Sequence, residues 1–153
     1  MIKKEIEKIT EVVANFLSGI LTEEYSILFE TKAAYWNFEY NNYKSKKIFQ
    51  SQVIEISLLI EEVEKKLVTL DYFITFSQND CFDYTSSDIN FKKWSKVEIL
   101  KKNIAKQEKL IIKVDEFKDL IKYQLDVDTE LILLNIQKKH KELIKQLKKS
   151  KIT

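Results

Sequence analysis

Proline is absent from this sequence, and glycine occurs once, at Gly19. Proline breaks helix interiors and glycine supplies turns. A chain of many short strands needs turn glycines, so an all-β architecture is excluded. With one glycine, no glycine-rich phosphate loop can form. Cysteine also occurs once, at Cys81. That excludes an internal disulfide and fits a reducing cytoplasm. The single histidine is His140, which excludes a zinc site built from two or three imidazoles. No apolar run approaches the ~20 residues that span a bilayer. The opening MIKKEIEK lacks the apolar core of a signal peptide. The expectation is a cytoplasmic protein with no membrane contact. Net charge is +2, too near balance to announce a nucleic-acid binder by itself.

What is present favours long helices. Hydrophobic residues make up 44% and charged ones 33% of 153 positions. That is enough for one domain, residues 1–153, around one core. Ile2, Ile6, Ile9, Val13, Phe16 and Ile20 recur at steps of three and four, on one face of a first helix running to about Asn37. Gly19 inside it reads as the mark of a close approach by a neighbouring helix. The polar stretch Glu39–Ser45 is the first break. Phe49, Val53, Ile56, Ile60, Val63, Leu67 and Leu70 then form the stripe of a second helix. Ser77–Asn90 is rich in turn formers and is too long for a tight link, so it holds a short helix or crosses the bundle. Ser95-Lys96-Val97-Glu98 is a capping box for a third helix, with Trp94 before it as a hydrophobic staple. Asp126-Val127-Asp128-Thr129 supplies cap residues for a fourth, on which Leu133, Ile136, His140, Leu143 and Leu147 share a face. The expected fold is all-α: a four-helix bundle with a long connection between helices two and three.

Several segments together resemble the Dps family, the ferritin-like "DNA-binding protein from starved cells". Leu21, Glu24-Tyr25, Trp36-Asn37 and Asn42-Tyr43 echo its Leu-x-x-Glu-Tyr run, its Trp-Asn pair and its Asn-Phe step. The segment Ile60–Leu70 is similar to its Asp-x-x-Ala-Glu-Arg helix, and Ser95–Leu110 to its Ser-x-x-Glu-Met-Leu helix. Asp128-Thr129-Glu130-Leu131 matches the start of its last helix. The resemblance implies a ferritin-like bundle and a hollow shell of twelve subunits. It implies iron storage and DNA protection as the family role.

The family's iron site lies across a two-fold dimer interface and uses two histidines and two carboxylates, donors suited to iron. Carried over position by position, the site is degenerate. The first histidine is Tyr35. The second falls on Lys46 or Lys47, the register near Asn42 being open by one residue. The family's aspartate falls on Glu61 or Glu62, and its glutamate on Lys65 or Lys66. An ammonium is a donor only and repels a cation. Ferroxidase activity is therefore expected to be absent or impaired, with no metal or other cofactor. In the sharper reading, a lysine takes the charge role of the metal and pairs with Glu61 or Glu62. The competing reading leaves these lysines on a solvated face.

Other candidates carry less. His140 reads as a hydrogen-bonded core or interface residue. Nothing in the spacing joins Cys81 to it as a nucleophile pair. Trp36 reads as an interface aromatic. Lys145, Lys148, Lys149 and Lys151 form a basic C-terminus that could touch DNA by avidity on a shell, against the simpler reading of a solvated helix end. Two further classes compete with the shell protein. One is a non-catalytic helical scaffold that keeps only the bundle. The other is a metalloenzyme with relocated carboxylates at Glu23, Glu24, Glu30, Glu61 and Glu62.

Overall fold

The computed structural model describes residues 2–37, 43–74, 95–122 and 124–150. Four helices order them: α1 (Ile2–Asn37), α2 (Tyr43–Thr69), α3 (Lys96–Leu120) and α4 (Val127–Lys149). This is the all-α four-helix architecture that the periodicity requires. The short helix expected in the middle connection, with Cys81 and Trp94, lies outside the described residues.

Local chemistry sets the helix ends. The Ser95 hydroxyl accepts from the Glu98 amide at 3.2 Å, while the Ser95 amide donates to the Glu98 carboxylate at 3.0 Å. That is the reciprocal capping box read from the sequence. Asp126 caps α4 by accepting from the Thr129 amide at 2.6 Å. α2 stops in a Schellman arrangement. The amide of Tyr72 donates to the Leu67 carbonyl and that of Asp71 to the Val68 carbonyl. Asp71 adopts the left-handed conformation this requires, at φ 57°.

Cross-helix bonds define the topology. Glu23 meets Lys113 and Thr31 meets Asn103, so α1 and α3 are antiparallel. Glu55 meets Lys139 and Glu62 meets Asn135, so α2 and α4 are antiparallel. Tyr25 meets Glu64 and Ser18 meets Tyr72, so α1 and α2 are antiparallel too. α2 and α3 therefore run parallel. The end of one and the start of the other lie at opposite ends of the bundle, about 40 Å apart at ~1.5 Å per residue.

The core follows the predicted stripes on α1 and α2 with one adjustment. On α1 the burial begins at Val13; Ile2 and Ile6 are 74% and 58% exposed. On α2, Phe49, Ile56, Ile60, Val63 and Leu67 are all buried. Phe16 stacks on Phe117 with ring centroids 3.6 Å apart, closing α1 against α3.

Two sequence expectations need correction here. A Cβ at Gly19 would meet only the flexible end of Lys113, at 3.9 Å. Among the described residues, no neighbouring helix comes close enough to demand glycine. The second concerns membranes. α1 contains a window long and apolar enough, by length and composition, to cross a bilayer. The count of strictly apolar runs missed it because isolated polar residues interrupt the window. Half of that window is buried inside the bundle.

Candidate functional site

Two regions of the bundle hold chemistry-bearing side chains. The first is the interior, where the apolar stripes are interrupted by polar residues. Glu24 on α1, Asn103 and Gln107 on α3, and Gln137 and His140 on α4 are all buried. Glu24 and His140 are 0% exposed. Burial of this kind is tolerated only where hydrogen bonds replace water.

The bonds form a directed relay. Thr31 Oγ1 donates to the Ile27 carbonyl at 2.7 Å and accepts from Asn103 Nδ2 at 3.2 Å. Asn103 Oδ1 accepts from Gln107 Nε2 at 2.6 Å. Gln107 Oε1 in turn faces His140 Nδ1 at 2.9 Å. With Gln107 presenting its oxygen, Nδ1 is the donor. His140 Nε2 then meets Glu24 Oε1 at 2.6 Å. With Nδ1 as donor, one proton lies between Nε2 and Oε1 whichever atom carries it, so the pair is held together by a hydrogen bond in either case. Glu24 Oε2 has no hydrogen-bond partner among the described residues. Three helices are joined by this relay at mid-bundle. Beside it, Gln137 Nε2 donates to Asp115 at 2.6 Å and to the Ile111 carbonyl at 3.3 Å.

The second region is the outer surface of α2 and the end of α1, where the resemblance placed the degenerate iron positions. Tyr35 is half-buried and edge-on to Trp36, with ring centroids 5.0 Å apart. Trp36 itself is 74% exposed. Lys46 Nζ lies 5.7 Å from the centre of the Tyr35 ring, within cation–π reach. Lys47 is exposed. Fourteen residues on, or about 21 Å along the helix, Glu61 pairs with Lys65 at 3.4 Å, both side chains mostly exposed. Glu62 accepts from Asn135 at 3.1 Å. Lys66 turns away to Asp126 at 3.1 Å. Within one chain, then, Tyr35 and Lys46 come together, and they stand apart from Glu61, Glu62, Lys65 and Lys66. Lys65 with Glu61 is an exposed i,i+4 lysine–glutamate pair, worth at most about 0.5 kcal/mol.

The relocated-carboxylate set is not brought together. Glu23 pairs with Lys113 at 2.7 Å and Glu30 with Lys106 at 2.8 Å, while Glu24 turns inward to His140. No group of three histidine, cysteine, aspartate or glutamate side chains among the described residues could hold a metal ion. Of the C-terminal lysines, Lys148 pairs with Glu108 at 3.2 Å. Lys145 and Lys149 line an open groove between α2 and α4 with Ile48, Glu55 and Leu143. Lys151 lies outside the described residues.

One electrostatic perturbation stands out. Partial burial pushes the Asp126 carboxyl up, but its contacts with Thr129 and the Lys66 ammonium outweigh burial and hold it below the usual carboxylate range.

The relay was within reach of the sequence and was missed. Glu24 falls on the stripe Leu17, Ile20, Glu24, Ile27, Thr31, and Asn103 and Gln107 fall i,i+4 on the inward face of α3. A polar residue repeatedly landing on an apolar stripe is the signal for a buried network.

Comparison with solved structures gives the fold its relatives. A Dps protein from Vibrio cholerae O1 superposes with TM-score 0.80 at 14% identity, covering 93% of this chain and 90% of that one. A Dps from Thermosynechococcus elongatus does so with TM-score 0.80 at 15% identity, over 94% and 92% of the two chains. The chain has a Dps-like ferritin fold. A dodecameric thioferritin from Bacteroides fragilis, described as bacterioferritin-related, matches with TM-score 0.77 at 14% identity, over 95% and 90%. No family model matches the sequence, and no curated protein does.

These relatives correct the expectation of no cofactor. That expectation rested only on the positions between Tyr35 and Lys66. The Vibrio cholerae protein sharing this fold is described as a member of a broad superfamily of ferritin-like diiron-carboxylate proteins, so the absence of a cofactor does not follow from those positions. The interior relay, however, does not fit two irons. A diiron bundle converges four carboxylates and two imidazoles. Here Glu24 and His140 converge with neutral amides, and one carboxylate oxygen is left unpartnered.

Proposed function

We propose that this chain is a Dps-like shell subunit, one ferritin-like domain spanning residues 1–153, that handles iron as cargo in the cytoplasm. The observation that carries the reading is the outward face of α2 within this fold. Lys47, Ser51, Ile54, Leu58, Glu61 and Lys65 alternate at steps of four and three, and all are exposed. Ile54 and Leu58 are 57% and 54% exposed at the middle of the row. A second copy packed antiparallel about Ile54 buries these apolar side chains. The same symmetry sets Lys47 of one copy level with Glu61 of the other.

That register gives the degenerate positions a role. The row places lysine against glutamate at each end of a two-fold contact. A cross-copy ion pair of this kind holds the interface without metal. The reading therefore assigns no ferroxidase step to Tyr35, Lys46, Lys47, Glu61, Glu62, Lys65 or Lys66. The fold and the charge pattern support it. DNA protection is the weaker part. Its support is the exposed Lys145 and Lys149, with Lys151 beyond the described residues.

The test is the assembled mass and iron uptake measured on one sample. A closed shell that takes up iron without rapid ferrous oxidation is the expected result. A monomer overturns the shell, and ferrous oxidation lost on Glu61→Gln overturns the degenerate site. For DNA, a low-salt gel shift that vanishes on deleting residues 148–153 supports contact; no shift removes it.

A further inference from the structure

We infer that the bundle interior is a converted two-metal centre, in which the hydrogen-bonded relay cross-links the helices where diiron bundles use metal. The general pattern of such bundles is one inward glutamate on each of two helices and a Glu-x-x-His pair on each of the other two. This chain keeps the skeleton of that pattern. α1 presents Glu24. α3 presents Gln107, in contact with the same imidazole that Glu24 touches. α4 presents Gln137-Lys138-Lys139-His140, the i,i+3 motif with glutamine for glutamate. α2 departs furthest. Glu55 meets Lys139 at this level; the buried residues within a turn of it are Gln52, Ile56 and Leu59, and Gln52 is turned to the Leu143 carbonyl and Gln146 rather than to the relay.

Each change has a chemical reason within the relay. Gln107 accepts from His140 through its oxygen and donates to Asn103 through its nitrogen. A glutamate is acceptor-only when ionised, so it could not pass the chain on to Asn103. Gln137 likewise donates to Asp115 and to the Ile111 carbonyl. The hydrocarbon of Ile56 and Leu59 fills space that a second Glu-x-x-His pair would occupy. The imidazole is oriented as a metal-binding histidine is, with its Nδ1–H held by a neighbouring oxygen. Its Nε2, the atom that would face a metal, is closed by Glu24 at 2.6 Å. Glu24 Oε2 has no hydrogen-bond partner among the described residues, as expected of a second carboxylate oxygen left over from the lost centre.

The experiment uses the full chain, treated with chelator, and zinc as a diamagnetic probe. His140 is the only histidine, so its ring nitrogens give unambiguous 15N signals. Protonated Nδ1 and an Nε2 resonance unmoved by one equivalent of zinc are expected, with an unchanged melting temperature. A zinc-dependent shift of Nε2 overturns the conversion, because the centre would then still take metal. The second arm is Gln107→Glu, which breaks the relay and returns a carboxylate. Its melting temperature should fall in chelator and recover in part with zinc. A variant that zinc does not recover, folded or not, overturns the claim that this is a former metal centre. Neither arm depends on shell assembly, so failure here and failure of the shell reading are separable.

Discussion

The interior of the bundle and the outer face of α2 both carry polar and charged side chains, but they resolve them differently. The interior contacts are closed within one chain. Glu24, His140, Gln107, Asn103 and Thr31 satisfy one another in sequence, apart from one carboxylate oxygen. The α2 row is open. Lys47 and Glu61 stand about 21 Å apart on one helix, and in the proposed shell each is met by a second copy. The comparison separates two kinds of charge. Buried charge has to be resolved locally, because desolvation is expensive. Exposed charge tolerates being unresolved until a partner arrives.

The sharpest way to break this contrast is to remove one half of the interior pair. His140→Ala leaves Glu24 buried without its partner and should destabilise the fold by about 3–5 kcal/mol in urea denaturation. Replacing both, with Glu24→Leu and His140→Leu, should recover most of that loss, because well-packed apolar residues often match a buried pair. A double variant as unstable as the single one would show that shape, not charge, governs the site. On the outer face the expectation is reversed. Leu58→Asp should leave helical circular dichroism intact and reduce the assembled mass, since the residue is 54% exposed in the single chain. Loss of helicity would move Leu58 into the core of the argument for the monomer instead.

Legibility in the sequence follows the same division. The helices were readable because stripe periodicity and caps are local. Ser95 with Glu98, and Asp126 with the Thr129 amide, form the bonds that their spacing announces. His140 was readable as a buried hydrogen-bonding residue. Its partners were not, because Glu24 lies 116 positions away and Gln107 lies 33 away. Only the bundle topology brings them together. Gly19 misled for a physical reason: a small residue in a helix usually signals close packing, and here it faces the flexible end of Lys113. For the lysines from Lys46 to Lys66 the spacing announced only positive charge. Where they pair within the chain, Lys65 meets Glu61 one turn away and Lys66 meets Asp126, sixty positions on.

A half-exposed pair offers a calibrated contrast to the buried one. Asp126 accepts from Lys66 and from the Thr129 amide, and its carboxyl is held below the usual range despite partial burial. A lowered carboxyl favours the folded state above its unfolded value, near ~3.9. That contribution is lost as pH falls from there through the folded value. Asp126→Asn keeps a capping side chain and removes the charge. Its stability should therefore depend less on pH below about 4 than the parent's does, a small difference because the Asp126 side chain is 56% exposed. Equal acid profiles for the two proteins would place the pair with surface contacts that contribute nothing measurable.

The smallest expected effect has the opposite sign. Gly19 is half-buried on α1, between the inward Leu17 and Ile20, and a Cβ there would make only ordinary contact with Lys113 Nζ at 3.9 Å. Its backbone is helical and has no positive φ, so alanine needs no change of conformation. Gly19→Ala should stabilise the fold by about 0.5–1 kcal/mol, through helix propensity and a less flexible unfolded chain. The gain would be read as a higher urea midpoint at unchanged slope. A loss would mean that α1 is approached at Gly19 by something a single chain does not contain. A loss that appears only in the assembled protein would place a second copy's surface against this turn, and extend the open half of the comparison from α2 to α1.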